Sequence, residues 1–151
     1  MASVESRMNM FHLLRGVLIQ NVPGDVVEIG CNAGESTVVL QRILQEFDPK
    51  RKLLAFDSFQ GVPITGTQDQ GVYHKGDMNV SQDQFFKNFD LLGLKRASVY
   101  AGWFEQTLPI SLPEQISFAL LDADLYSSTL YALQKLYPRL SRGGICLFVS
   151  S

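Results

Sequence analysis

A chain of 151 residues with 46% hydrophobic and 19% charged side chains has the length of one ordinary domain and enough apolar content for a core, which excludes a disordered chain. A formal net charge of −2 leaves no basic footprint, so neither nucleic acid nor an anionic membrane is an expected partner, and a small neutral or cationic ligand fits better. No apolar run approaches the ~18 residues that span a bilayer and no signal-peptide core is present, so a cytoplasmic protein is expected.

Met8, Phe11, Leu14, Leu18 and Ile19 recur at helical spacing until Pro23 and Gly24 interrupt them. Residues 5–21 therefore read as an amphipathic helix, and residues 1–24 as a helical cover over one face of the domain. Val26 to Gly34, VVEIGCNAG, is a short apolar run that ends in an acid and a glycine-flanked loop. Strand, acid, glycine turn and helix N-terminus bring a nucleotide-like ligand close to bare backbone. Ser36 to Phe47 reads as the following helix and Lys52 to Ser58 as a second strand. Asp57, at that strand's end, follows the glycine loop at close to the ~20-residue spacing of a ribose-binding carboxylate.

Gly61 to Ser81 is polar and aperiodic, too long for an ordinary connection, and reads as a lid or binding loop. Phe85, Phe86, Phe89 and Leu92 mark a helix closed by Gly93, and Ala97 to Ala101 is a third strand ending at Gly102 and Trp103. Ile116 to Leu121 is a fourth strand, apolar enough to be covered on both faces. Tyr126 to Tyr137 is a helix broken by Pro138, and Ile145 to Val149 is a fifth strand. Two cysteines, Cys31 and Cys146, stand far apart beside apolar segments, the pattern of buried reduced thiols and not of a disulfide or zinc spacing. Alternating strands and helices give a doubly wound, mainly parallel Rossmann-like α/β sheet, whose ligands bind outside the carboxyl ends of the strands. Glu28, Asp57 and Asp122 all fall there.

Four ordered blocks go further: VPGDVVEIG at 22–30, AFDSFQGVP at 55–63, GWFEQTLP at 102–109 and LDADLYSSTLYALQKLYPRLSRGG at 121–144. Together they resemble the macrocin O-methyltransferase (TylF/MycF-type) family of class I S-adenosylmethionine-dependent methyltransferases. The resemblance implies methylation of a hydroxyl on a small molecule, notably a natural-product or glycan sugar, with S-adenosylmethionine and a divalent metal, usually Mg²⁺. It implies that Glu28, Gly30, Gly34 and Ser36 frame the methionine end of the donor. Asp57 then takes the ribose hydroxyls, Ser58 and Phe59 lie beside the nucleoside, and Gly102 and Trp103 lie near the adenine. Asp122 takes the place of metal ligand and catalytic base, with Asp124 and Tyr126 on the substrate side.

The chemistry of these residue types agrees with those places. A carboxylate accepts paired bonds from two vicinal hydroxyls, and an aromatic ring stacks on a purine or lies near a sulfonium. A hydroxyl is a poor nucleophile at neutral pH, so its methylation benefits from a base or a metal. The plain alternatives are a turn or cap acid at Asp57, a salt-bridged acid at Glu28, a helix cap at Asp124 and ordinary packing for Phe59 and Trp103. His74 is a candidate accessory base or a solvated loop residue.

The resemblance also puts two adjacent Asp residues after the fifth strand and two further strands beyond it, whereas the sequence reads Phe148, Val149, Ser150, Ser151. A single C-terminally truncated S-adenosylmethionine-binding domain with an incomplete Mg²⁺ site is therefore expected. Its fifth strand would form an apolar edge that favours a homo-oligomer. A noncatalytic or degenerate S-adenosylmethionine- or nucleoside-binding module is the competing reading. A nicotinamide-binding protein is disfavoured, because Gly30 to Gly34 lacks the G-x-G-x-x-G form.

Overall fold

The computed structural model describes residues 3–60 and 81–149. Most of the expected lid and His74 lie outside the described residues. In chain order the elements are α1 (Val4–Ile19), β1 (Asp25–Ile29), α2 (Glu35–Phe47), β2 (Leu53–Asp57), α3 (Gln82–Leu91), β3 (Ser98–Ala101), α4 (Phe104–Ser111), β4 (Ile116–Leu121), α5 (Tyr126–Leu136) and β5 (Leu140–Phe148). All four strand pairings are parallel and the order is β3-β2-β1-β4-β5. The chain winds outward from β1 to β3, then returns to place β4 on the other side of β1. That reversal opens a crevice at the carboxyl ends of β1 and β4.

Strand parity divides the core into two layers. Val26, Leu53, Ala55, Phe118 and Leu120 face α1, α2 and α3, which contribute Leu14, Leu40, Leu44, Phe85 and Phe89. Val27, Ile29, Leu54, Phe56, Ala119 and Leu121 face α4 and α5, which contribute Leu108, Ala132 and Leu136. Successive strand residues point to opposite faces, and both faces are covered, so β4 is buried at every position.

Helix ends follow local chemistry. Ser3 caps α1 by accepting from the Ser6 amide, and Ser81 and Gln84 form a reciprocal capping box at α3. Gly93, at φ 63°, closes α3, with the Leu94 amide donating to the Phe89 carbonyl at 2.9 Å. The stop of α1 differs from expectation. Asn21 adopts φ 55° and the Val22 amide reaches back to the Val17 carbonyl at 3.1 Å, so the helix ends before Pro23 can break it.

Four further points differ from expectation. The buried stripe of α1 is Met10, Leu14, Val17 and Leu18, whereas Met8, Phe11 and Ile19 are exposed. Helix α4 was not expected, because Pro109 lies inside it and it is only 8 residues long. Strand β5 begins earlier than Ile145: Leu140 pairs with Ile116, the register shifts, and pairing resumes between Ile145 and Phe118. Cys31 is a buried free thiol, but Cys146, on the edge strand, is only half-buried.

Candidate active site

Asp57 ends β2 with both carboxylate oxygens held by main chain. Oδ2 accepts from the Asn32 amide at 2.9 Å and Oδ1 from the Phe59 amide at 3.0 Å. The loop after β1 and the turn after β2 are thereby tied to one acid. Asn32 and Phe59 have φ 50° and 56°, left-handed conformations that non-glycine residues hold only where their surroundings fix them. The Asp57 carbonyl accepts from the Gly102 amide at 3.0 Å, which brings Gly102 and the half-buried Trp103 to the same end of the sheet. Ser58 is buried and its Oγ accepts from the Gln60 amide at 3.0 Å.

The glycine loop is shaped by the protein itself. A Cβ on Gly30 would lie 2.0 Å from the Asp122 carbonyl oxygen, and φ is 87° there. The loop after β1 therefore closes directly on the end of β4. Gly34, at φ 86°, caps α2 and faces the Phe85 ring. Ser36 lies half-buried in the first turn of α2. Thus bare main chain at Gly30 and Gly34 serves close packing of β4 and α3, a reason that the ligand-centred expectation did not contain.

Glu28 is 1% exposed and accepts a hydrogen bond from the Thr37 hydroxyl. Burial raises its pKa to about 8, the Thr37 bond opposes the rise, and the Asp122 and Asp57 carboxylates add to it. Glu28 is thus a mostly protonated acid behind the crevice, joining β1 to α2 through Thr37. Beside it, burial pushes the Cys31 thiol well up, with Glu28 and Asp57 contributing.

Asp122 follows β4, and its amide donates to the Ile29 carbonyl at 2.9 Å. Burial first, then the neighbouring Asp124 and Asp57 carboxylates, raises its pKa to about 6. Asp124 has φ 63°, and the Leu125 amide bonds the Ala123 carbonyl at 2.7 Å around it, a tight γ-turn. Leu125, not Asp124, occupies the N-cap position of α5, and its own side chain offers no cap. Tyr126 opens α5 and is 56% exposed.

Mg²⁺ requires several oxygen ligands in near-octahedral array. Among the described residues no three His, Cys, Asp or Glu side chains gather in that way. Asp122 and Asp124 alone do not assemble the expected site, and Glu28 is engaged by Thr37.

Sequence reasoning missed three contributors. Asn32 carried a signal, since Asn tolerates the left-handed region better than most residues. Thr37 and Phe85 carried none beyond their place on a helix.

The profile of the family described as Macrocin-O-methyltransferase (TylF) matches residues 3–149. The chain belongs to the macrocin O-methyltransferase family. Among this family's curated relatives, the 8-demethyl-8-(2,3-dimethoxy-alpha-L-rhamnosyl)-tetracenomycin-C 4'-O-methyltransferase of Streptomyces olivaceus is 36% identical over 149 residues, 92% of this chain and 57% of the relative. The mycinamicin III 3''-O-methyltransferase of Micromonospora griseorubida is 32% identical, with 92% of this chain and 59% of the relative covered. The solved O-methyltransferase NovP superposes with a TM-score of 0.86 at 29% identity, covering 97% of this chain and 64% of NovP. The chain thus spans less than two thirds of these relatives. The doubly wound parallel sheet expected from the strand pattern, of the class I methyltransferase type that the resemblance implies, is the observed fold.

No described helix is long and apolar enough to cross a membrane.

Proposed function

We propose that the protein transfers a methyl group from S-adenosylmethionine to a hydroxyl of a small molecule, a sugar of a natural product or glycan. The observation that carries this reading is Asp57, a strand-end carboxylate held by the Asn32 and Phe59 amides beside the β1 loop. Each oxygen keeps acceptor capacity for a ribose hydroxyl, and the two fixed bonds make the acid an aligned acceptor before any ligand arrives. The Streptomyces olivaceus relative, whose named substrate carries a rhamnosyl group, supports the acceptor class. Residues 1–151 serve as one donor-binding domain, with residues 1–24 as its cover.

The donor supplies a methyl group on a positively charged sulfur. Attack by the acceptor oxygen forms the C–O bond as the C–S bond breaks, and the sulfur leaves as a neutral thioether. Asp122 takes the hydroxyl proton. With a pKa near 6 it is mostly ionised at neutral pH, yet basic enough for general-base work. Asp124, held in its γ-turn, and Tyr126 line the acceptor side. Gly30, Gly34 and Ser36 border the methionine end, Glu28 supports them from behind, and Ser58, Phe59, Gly102 and Trp103 surround the nucleoside.

Two free thiols are at home in a reducing compartment, which supports a cytoplasmic setting.

Isothermal titration with S-adenosylhomocysteine and with NAD tests the donor assignment. Saturable binding of the former alone is expected, and preference for NAD would overturn it. A methyl-transfer assay on deoxysugar glycosides then separates catalysis from binding; affinity without turnover would favour the noncatalytic module.

A further inference from the structure

Helix α3 follows the 61–80 segment and had no assigned part in the site, yet one of its side chains touches two of the site's elements. Phe85 is fully buried. A Cβ built on Gly34 would lie 2.8 and 2.9 Å from Cδ2 and Cε2 of its ring, so any side chain at Gly34 would collide with the ring. On another side the ring meets Phe59 edge to face, with centroids 5.7 Å apart at 86°. Behind it, Phe86 and Phe89 pack at 5.1 and 5.4 Å.

These contacts have a common consequence. Gly34 starts α2 beside the loop that holds Asn32, and Phe59 supplies the second amide that fixes Asp57. One rigid ring therefore braces both turns whose amides converge on the same carboxylate. The left-handed backbone of Phe59 relaxes unless packing holds it. We propose that Phe85 is a positioning residue for the methyl donor: by wedging between Gly34 and Phe59 it sets the spacing of the two turns on which the donor lies. The inference rests on the donor reading given above.

Phe89 is an internal control, equally buried on the same helix and in the same aromatic cluster. Its removal costs core packing without removing the ring that faces Gly34. The experiment compares Phe85→Leu, Phe89→Leu and the unaltered chain by S-adenosylhomocysteine titration, thermal unfolding and, where turnover is measurable, donor KM and kcat. Shifting either turn misaligns Asp57 on the donor, and weakening one hydrogen bond to a charged group is enough for a loss of about tenfold in affinity. Phe85→Leu should therefore weaken binding about tenfold and raise donor KM with kcat nearly kept, while Phe89→Leu, though also lowering Tm, should bind within about twofold of the unaltered chain. Should Phe85→Leu fail to fold, Phe85→Met, an adaptable side chain that fills more of the space, takes its place with the same expected direction. Equal loss of affinity in the two helix variants, or unchanged affinity in the Phe85 variant, would overturn the positioning role. Failure of the unaltered chain to bind would instead overturn the donor reading itself.

Discussion

Asp57 and Asn32 join the ends of two parallel strands: the Asn32 amide donates to Asp57 Oδ2 at 2.9 Å, and Oδ1 is taken by the Phe59 amide. A carboxylate fixed in this way is both a structural tie and a directed acceptor, so a substitution there acts on both roles.

Asp57→Asn keeps size and one acceptor oxygen but lacks the charge and places an amide group where a main-chain N–H donates. The expected result is at least a tenfold loss of S-adenosylhomocysteine affinity, since hydrogen bonds to a charged group contribute roughly 1.5–3 kcal/mol each. Titration calorimetry reads it, and unchanged affinity would refute the ribose assignment.

Asp122→Asn should leave donor affinity near that of the unaltered chain while turnover falls by about 10²–10⁴, the usual worth of a general base. With a pKa near 6, the base is protonated and idle at lower pH. The rate should rise with pH, level off above about 6, and lose that limb in the variant. A pH-rate series on both proteins checks this.

Glu28 makes stability itself pH-dependent. Its pKa rises from 4.5 to about 8 on folding, so between these values the folded chain holds a proton that the unfolded chain has released. Stability then falls as pH rises, the contribution being full below about 4.5 and lost once pH passes about 8. Asp122 acts in the same sense, but only up to about 6. Glu28→Gln, neutral at every pH, should flatten the melting temperature between about 6 and 8, where the unaltered chain declines. Thr37→Val, which strips a buried acceptor of its partner, should cost about 1–3 kcal/mol.

Gly30 and Gly93 both have positive φ, but only Gly30 is crowded. Alanine at Gly30 would drive a methyl into the Asp122 carbonyl, whereas nothing lies within 4 Å of the same methyl at Gly93. Gly93→Ala should cost about 1–2 kcal/mol, the left-handed penalty alone. Gly30→Ala should cost at least about 3 kcal/mol or prevent folding, and urea unfolding of the pair distinguishes the two.

How far the sequence revealed this arrangement depends on which force fixed each part. Ile116 to Leu121 was legible to the residue, because a strand covered on both faces needs an unbroken apolar run. Asp57 and Asp122 were legible because parallel strands put acids at their carboxyl ends on one edge. In α1, two apolar stripes run side by side, and only the packed chain shows that Met10 and Val17 face inward while Met8 and Ile19 do not. Helix α4 was hidden by Pro109, whose local preference is overridden by Leu108 packing into the core. The protonation of Glu28 and the seat of Phe85 against Gly34 depend on contacts between segments distant in sequence, which periodicity and spacing do not encode.

The most direct measurement is a crystal structure of the chain with S-adenosylhomocysteine. The ribose hydroxyls should lie within hydrogen-bond distance of Asp57, with the thioether sulfur on the side of Asp122. A ligand bound away from Asp57, or side chains filling the space between the ends of β1 and β2, would contradict the assignment of this crevice to the methyl donor.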